Sequence, residues 1–247
     1  MMHALILAAG YGTRLYPVTL NTSKALVDIC GTTILDETAD KLACAGIENI
    51  YVLSNEKFKN DLTAWADQRG GSIKVVSDGS TSPESMLGAI GDLDFFLRTT
   101  RFDEDLFIFG SDNLFSWQLD AFVAFARKTA KPVVGVYDMK DKAEVAGKFG
   151  VVETDAVGKV VSFEEKPDAP RTALIGTCMY YVPKAYFAKI GEYLAAGSNK
   201  DAIGRLFAWF SQHGELYAFP FSGTWLDIGH LDTLEEARTL FAKGVFS

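Results

Sequence analysis

The sequence predicts an α/β fold in which a doubly wound mixed sheet carries a β-rich insertion. Three observations lead there. Short apolar runs alternate with segments of helical spacing between residues 4 and 138. After about residue 139 the rhythm turns to paired strands. A chain of 247 residues is also long enough for one large α/β domain that buries most of its foldable surface.

The elements follow in order. ALILA at 4–8, IENIYVLS at 47–54, IKVVS at 73–77, DLFIFGS at 105–111 and PVVGVYD at 132–138 have the length and apolarity of strands buried on both faces. Between them, segments 34–46, 58–69, 86–98 and 116–128 repeat apolar residues at helical spacing. That alternation implies βαβ units and a mainly parallel, Rossmann-like sheet. Segment 149–166 reads as two strands joined near Ala156–Gly158, and LIGTCMYYV at 174–182 as another strand. Helices are expected at about 184–196 and 201–213, a strand at 215–221, and a last helix from about 231 to 243. No Pro- or Ser-rich linker divides the chain. The expected organisation is one domain over 1–247, with a nucleotide-binding half at 1–138 and an acceptor-binding half at 139–247.

Composition narrows the function classes. Hydrophobic residues make up 48% and charged residues 23%, as in globular domains generally. The net charge of −8 argues against nonspecific binding to nucleic acid or to anionic membranes, both of which need excess Lys and Arg. An anionic small ligand needs only a few local cations. Cys30, Cys44 and Cys178 are too widely spaced for a zinc or redox motif and are expected to be buried or half-buried free thiols. No run approaches the length of a membrane helix, and the start of the chain lacks the pattern of a signal peptide, so a cytoplasmic location is expected. A homo-oligomer is compatible with all of this.

The chemistry concentrates in LILAAGYGTRLYPVTLNTSKAL at 5–26, where a buried-looking strand feeds a glycine loop. Leu15 stands where the third glycine of GxGxxG would be, and no GxxxxGK[ST] occurs. A plain turn would not need the cations. Glycines let backbone N–H groups approach a phosphate, Arg14 offers a forked donor, and Lys24 adds a point charge.

GxGTRLxPxT followed by SKAL resembles the signature loop of the sugar-1-phosphate nucleotidyltransferases, with GTRLYPVT most similar to the glucose-1-phosphate thymidylyltransferase branch. The resemblance implies a GT-A-like fold and a loop that wraps the triphosphate of an NTP. The loop residues so implied are Leu7, Ala8, Ala9, Gly10, Gly12, Thr13, Arg14 and Lys24. Further stretches match in the family's order. FIFGSDN resembles the strand ending in a Mg²⁺-holding aspartate, here Asp112. FGVVE implies a sugar contact at Gly150, and FEEKP implies Glu165 for sugar hydroxyls and Lys166 for the sugar phosphate. WLDIG implies a second metal carboxylate, Asp227. Arg14, Lys24 and Lys166 would carry catalysis.

Each residue also has a plainer reading. Asp112 and Asp227 could be helix caps, and Glu164–Lys166 a solvated strand end. His3 and His230 read as structural. The match also departs from the family. VVSDGSTSPESMLGAIGD lacks the glutamine of the thymidylyltransferases, which leaves the base open. Ser77, Asp78 and Gly88 are candidates to line the base, with dTTP, UTP or CTP the expected nucleotide. IGTCMYY reverses the family's Thr-Gly order, and Thr177 is the candidate sugar contact there. The implied reaction joins an NTP and a sugar 1-phosphate into an NDP-sugar, releasing pyrophosphate. Rival readings are a phosphocholine-type cytidylyltransferase, a GT-A glycosyltransferase, and a non-catalytic nucleotide-sugar binding protein. The glycosyltransferase reading is weakened because Asp112-Asn113-Leu114 lacks the second aspartate of a DxD pair.

Overall fold

The computed structural model describes residues 1–246. In chain order, β1 (His3–Ala8) leads through the glycine loop to a small hairpin, β2 (Asp28–Ile29) and β3 (Thr32–Thr33), and then α1 (Ile34–Cys44). Next come β4 (Asn49–Ser54), α2 (Lys59–Arg69), β5 (Ser72–Ser77), α3 (Ala89–Thr100), β6 (Leu106–Gly110), β7 (Asn113–Phe115), α4 (Asp120–Thr129) and β8 (Val133–Asp138). The second half adds α5 (Lys142–Val145), β9 (Gly150–Thr154), β10 (Val160–Glu165), β11 (Leu174–Val182), α6 (Phe187–Ala195), α7 (Ile203–Gln212), β12 (Tyr217–Phe221), β13 (Trp225–Asp227) and α8 (Leu231–Ala242).

The main sheet has nine strands. β1 lies between β4 and β6, parallel to both, and β5 extends β4 in parallel. β11 pairs antiparallel with β6 and β8, and β12 runs parallel to β8. The antiparallel hairpin of β9 and β10 branches from β11 through Ile175 and Val151. This is the expected mixed sheet with its β-rich insertion. The sheet is covered on both faces. Ala4, Ile6 and Ala8 of β1 enter one core cluster with α1, α2 and α4, whereas Leu5 enters another with α3, α6 and α7. The two-residue alternation of a strand thus explains a continuous apolar run. A third, smaller cluster packs α8 over the turn around Leu15 and over Ile228.

Helix α1 starts where Thr33 Oγ1 accepts the Asp36 N–H at 3.0 Å, a side-chain N-cap. Among the described residues no helix is long and apolar enough to cross a membrane. One expectation needs correcting: Cys30 and Cys44 are exposed, and only Cys178 is partly enclosed. Cys30 sits in the tight turn between β2 and β3, and Cys44 ends α1 on its outer side, so neither position reaches a core.

Candidate active site

The glycine loop leaves the C-terminal end of β1, where ligands of open α/β sheets collect. It is tied down from below. Asn55 Nδ2 donates to Ala9 O at 2.9 Å, Thr19 Oγ1 donates to Gly12 O at 2.7 Å, and buried Tyr11 donates its hydroxyl to Ser80 O at 3.1 Å. A cavity of about 630 Å³ runs along the loop, lined by Leu7, Ala9, Gly10, Gly12, Thr13, Arg14 and Lys24. The start of α3, with Gly88, Ala89 and Asp92, also lines it. Gly88 sits at φ +77°, and a Cβ there would lie 2.7 Å from Lys200 O, so the α3 entry is built for glycine.

A second cavity of about 260 Å³ lies against β9, β10 and β11 and is lined by Gly150, Glu165, Lys166, Thr177 and Asp227. Arg14, Asp112 and Cys178 line both cavities, so the two meet there.

Two carboxylates from distant parts of the chain come together at this junction. β7 pairs antiparallel with β13, setting Asn113 opposite Asp227, and the Ile228 N–H donates to Asp112 O at 2.8 Å. Trp225 Nε1 donates to Asn113 Oδ1, and Asn113 Nδ2 to Asp112 Oδ1, each at 2.8 Å. That relay fixes the Asp112 carboxylate, whose other oxygen accepts from Lys24 Nζ at 3.0 Å. Burial first, and the neighbouring Asp112 charge second, push Asp227 up to about 6, against the pull of Lys24, Arg14 and Lys166. Three cations and two carboxylates therefore share one small volume.

No group of three or more His, Cys, Asp or Glu side chains fit to hold a metal exists among the described residues. A pair of carboxylates is nonetheless the donor set Mg²⁺ takes when phosphates and waters complete its shell. The mutual repulsion that perturbs Asp227 is what a divalent cation would relieve. The site fits the ion.

Other positions refine the sequence reading. Lys166 has φ +52°, a left-handed conformation uncommon for a side chain of this size, and its N–H donates to Phe149 O at 3.1 Å. Glu165 is pushed above the usual carboxylate range, by burial first, while Lys166 and Arg205 oppose the shift. Its Oε2 occupies the space a Cβ at Gly204 would need, so α7 approaches it closely only because residue 204 is glycine. Three expected ligand residues, Ala8, Ser77 and Asp78, do not line either cavity. Ala8 is buried in the core beneath the loop. Ser77 Oγ donates to Glu56 Oε2 at 2.6 Å, and Asp78 accepts from Ser80 N and Oγ, both at 2.7 Å to Oδ1. Both serve to brace the segment after β5 and do not line the cavity. Thr177 stays at the second cavity, but its hydroxyl is taken by Gly135 O at 3.0 Å. Nor does Asp227 cap α8, because that N-cap is His230.

His230 is one of the residues that sequence reasoning missed: its Nε2 lies 3.3 Å from Arg14 Nη1 and braces the guanidinium. Cys178 and Asp92 are others. Burial, with Asp112 next, pushes the Cys178 thiol well up, so at this site it is no nucleophile near neutral pH. Asp92 is 7% exposed and is pushed up to about 8, by burial first and Asp78 second. The unfolded chain ionises Asp92 near pH 4, so between about pH 4 and pH 8 the folded state holds the extra proton and loses stability as pH rises. The slope is at most about 1.4 kcal/mol per pH unit. Asp92→Asn, which still offers a donor to Asp78, is expected to raise Tm more at pH 8 than at pH 5. Equal shifts at both pH values in thermal melts would contradict this.

Similarity to known proteins agrees with this geometry. Residues 3–244 match the family model described as Nucleotidyl transferase. The mannose-1-phosphate guanylyltransferase catalytic subunit beta of Danio rerio is 31% identical over 234 residues, covering 92% of this chain and 61% of that protein. Glucose-1-phosphate adenylyltransferase 1 of Vibrio vulnificus is 27% identical over 269 residues, covering 95% of this chain and 65% of that one. The chain thus spans somewhat under two thirds of these relatives' length. In fold it resembles a solved putative glucose-1-phosphate thymidylyltransferase from Bacillus anthracis in complex with a sucrose, with TM-score 0.84 and 23% identity over 97% of this chain and 95% of that one. By its near end-to-end match, and by the placement of its signature loop, this chain is a member of the nucleotidyl transferase family.

Proposed function

We propose that this chain transfers a nucleoside monophosphate from an NTP to a sugar 1-phosphate, giving an NDP-sugar and pyrophosphate. The observation that carries the reading is the junction of the two cavities at Arg14 and Asp112, beside Lys24, Lys166 and Asp227. A site for one anion would need only one of the two pockets.

In this reading the larger cavity takes the NTP, its phosphates along Gly10 to Arg14 and toward Lys24. The smaller cavity takes the sugar phosphate. Glu165, set deep against Gly150 and Gly204, accepts from sugar hydroxyls, and Lys166 holds the phosphate. A phosphate monoester has its second pKa at about 6 and is mostly a dianion at neutral pH. Its own oxygen attacks the α-phosphorus, the bond to the bridging oxygen breaks, and the electron pair leaves on pyrophosphate. No side chain need remove a proton. The protein contributes position and charge. Lys24 and Arg14 balance the triphosphate, and His230 keeps Arg14 in place. Asp112 and Asp227 would hold Mg²⁺, which when bound neutralises phosphate charge as the leaving group forms.

A phosphocholine acceptor would call for aromatic faces turned to a trimethylammonium group. Here Tyr180 stacks on Phe207 with centroids 3.9 Å apart and Phe149 packs edge-on against Trp225 at 5.4 Å, so the rings mostly meet each other. The test is product analysis with Mg²⁺, four NTPs, and a panel of sugar 1-phosphates plus phosphocholine. Equal amounts of pyrophosphate and NDP-sugar from one pair support the reading. Turnover of phosphocholine alone, or no product from any pair, would overturn it.

A further inference from the structure

The two cavities share a further stretch of wall. Ala89 at the start of α3, and Asp201 and Ile203 at the start of α7, line both. The two helix starts are joined through their backbones. The Ala89 N–H donates to Asp201 O at 3.2 Å, and the Ile90 N–H donates to Lys200 O at 2.9 Å. Both N–H groups belong to the first turn of α3, where a helix has no partners of its own for them. Protein carbonyls fill them here, so the start of α3 fixes residues 200 and 201 in place. Glycine at 88 permits the approach, because a Cβ there would lie 2.7 Å from Lys200 O.

The same segment is held from its other side by two residues that line neither cavity. Tyr193, buried on α6, donates its hydroxyl to Asn199 O at 2.7 Å. Asn199 Oδ1 in turn accepts the Asp201 N–H at 2.8 Å. Hydrogen bonds thus run from α6 through residues 199–201 to α3, and the surface they fix faces both cavities.

If the function proposed above holds, on which this inference rests, each cavity takes one substrate. A wall common to both then sets the distance and angle between them. We propose that residues 199–203 are this positioning wall, and that Tyr193 and Asn199 are positioning residues that act on nucleotidyl transfer through it. In-line attack needs the reacting atoms about 3 to 3.5 Å apart, and a shift of about 1 Å can cost on the order of 10²-fold. Binding of either substrate alone depends less on the wall, because most of each cavity is lined by other elements.

The experiment uses the full chain, Tyr193→Phe, Asn199→Ala, and Asn199→Asp, whose carboxylate can still accept the Asp201 N–H. It measures the rate of NDP-sugar formation in a single turnover at saturating substrates with Mg²⁺. Calorimetry gives the Kd of the NTP and of the sugar 1-phosphate, each alone and with the other present, and thermal melts confirm that each variant is folded. Tyr193→Phe and Asn199→Ala should slow the single turnover by about 10- to 100-fold while each Kd measured alone changes less than about threefold. Asn199→Asp should recover most of the lost rate. A merely structural role would lower Tm and leave the rate of the folded enzyme unchanged, and that result overturns the proposal. So does a loss of binding for both substrates that matches the loss of rate, or an Asn199→Asp no faster than Asn199→Ala. If no pair of substrates is turned over, the binding data decide. A change of about fivefold or more in one ligand's Kd when the other is present, abolished by Asn199→Ala, means that the reaction is wrong and the shared wall stands. No turnover and no such coupling overturn both.

Discussion

Asp112→Asn is expected to leave the fold intact and to reduce turnover on the order of 10² to 10³-fold at saturating Mg²⁺. The substitution is isosteric. The asparagine side-chain oxygen can still accept from Lys24 or from Asn113, and the backbone bond from the Ile228 N–H to the residue 112 carbonyl is untouched. What goes is one negative charge at the junction of the two cavities. With it goes half of the carboxylate pair that suits a divalent cation, and three cations are left facing Asp227 alone. NTP binding should weaken far less than turnover, because the loop from Gly10 to Arg14 is unchanged. Initial rates and a thermal melt on the same preparation check this. A folded variant with a near wild-type rate would remove Asp112 from the charge balance.

Lys166→Ala should raise KM for the sugar phosphate on the order of 10²-fold while changing KM for the NTP by less than about threefold. The prediction rests on where the backbone puts this side chain. Lys166 follows β10 in a left-handed conformation, its N–H fixed to Phe149 O at 3.1 Å, directly before Pro167. It lines the smaller cavity and not the larger. Alanine is also disfavoured at positive φ, so no stability gain should mask the loss. Steady-state kinetics with each substrate varied at saturating levels of the other separates the two effects. Equal rises in both KM values would contradict the division of the site into two subsites.

Much of this was legible in the sequence because it was local. β1, β4, β6 and β8 are largely apolar runs since both faces of each are covered, and run length alone reveals them, whereas β5, at the sheet edge with Lys74 exposed, is apolar only in part. The glycine loop, FEEKP and WLDIG are contiguous motifs whose residues fall at the two cavities. What escaped was set by distance or by burial. β7 and β13 have three residues each, too short for any periodicity, yet their pairing is what brings Asp112 to Asp227. His230 meets Arg14 across 216 residues. Asp92 follows apolar Ile90 in a helix, where an acidic residue reads as solvated, and only the packed α3 shows it enclosed. Ser77 and Asp78 fell at the expected point in the chain but turn to Glu56 and Ser80, a choice of rotamer that spacing does not encode.

The central claim is that the acceptor's own phosphate oxygen attacks the NTP directly across the junction of the two cavities. Exchange of labelled pyrophosphate into NTP tests it most simply. Without sugar phosphate or NDP-sugar, no label should enter the NTP, because in a direct transfer pyrophosphate is released only when an acceptor phosphate takes the nucleotidyl group. Adding the NDP-sugar should switch exchange on. Label entering the NTP with neither sugar compound present would mean a covalent intermediate on the protein, and direct transfer between the two cavities would be wrong.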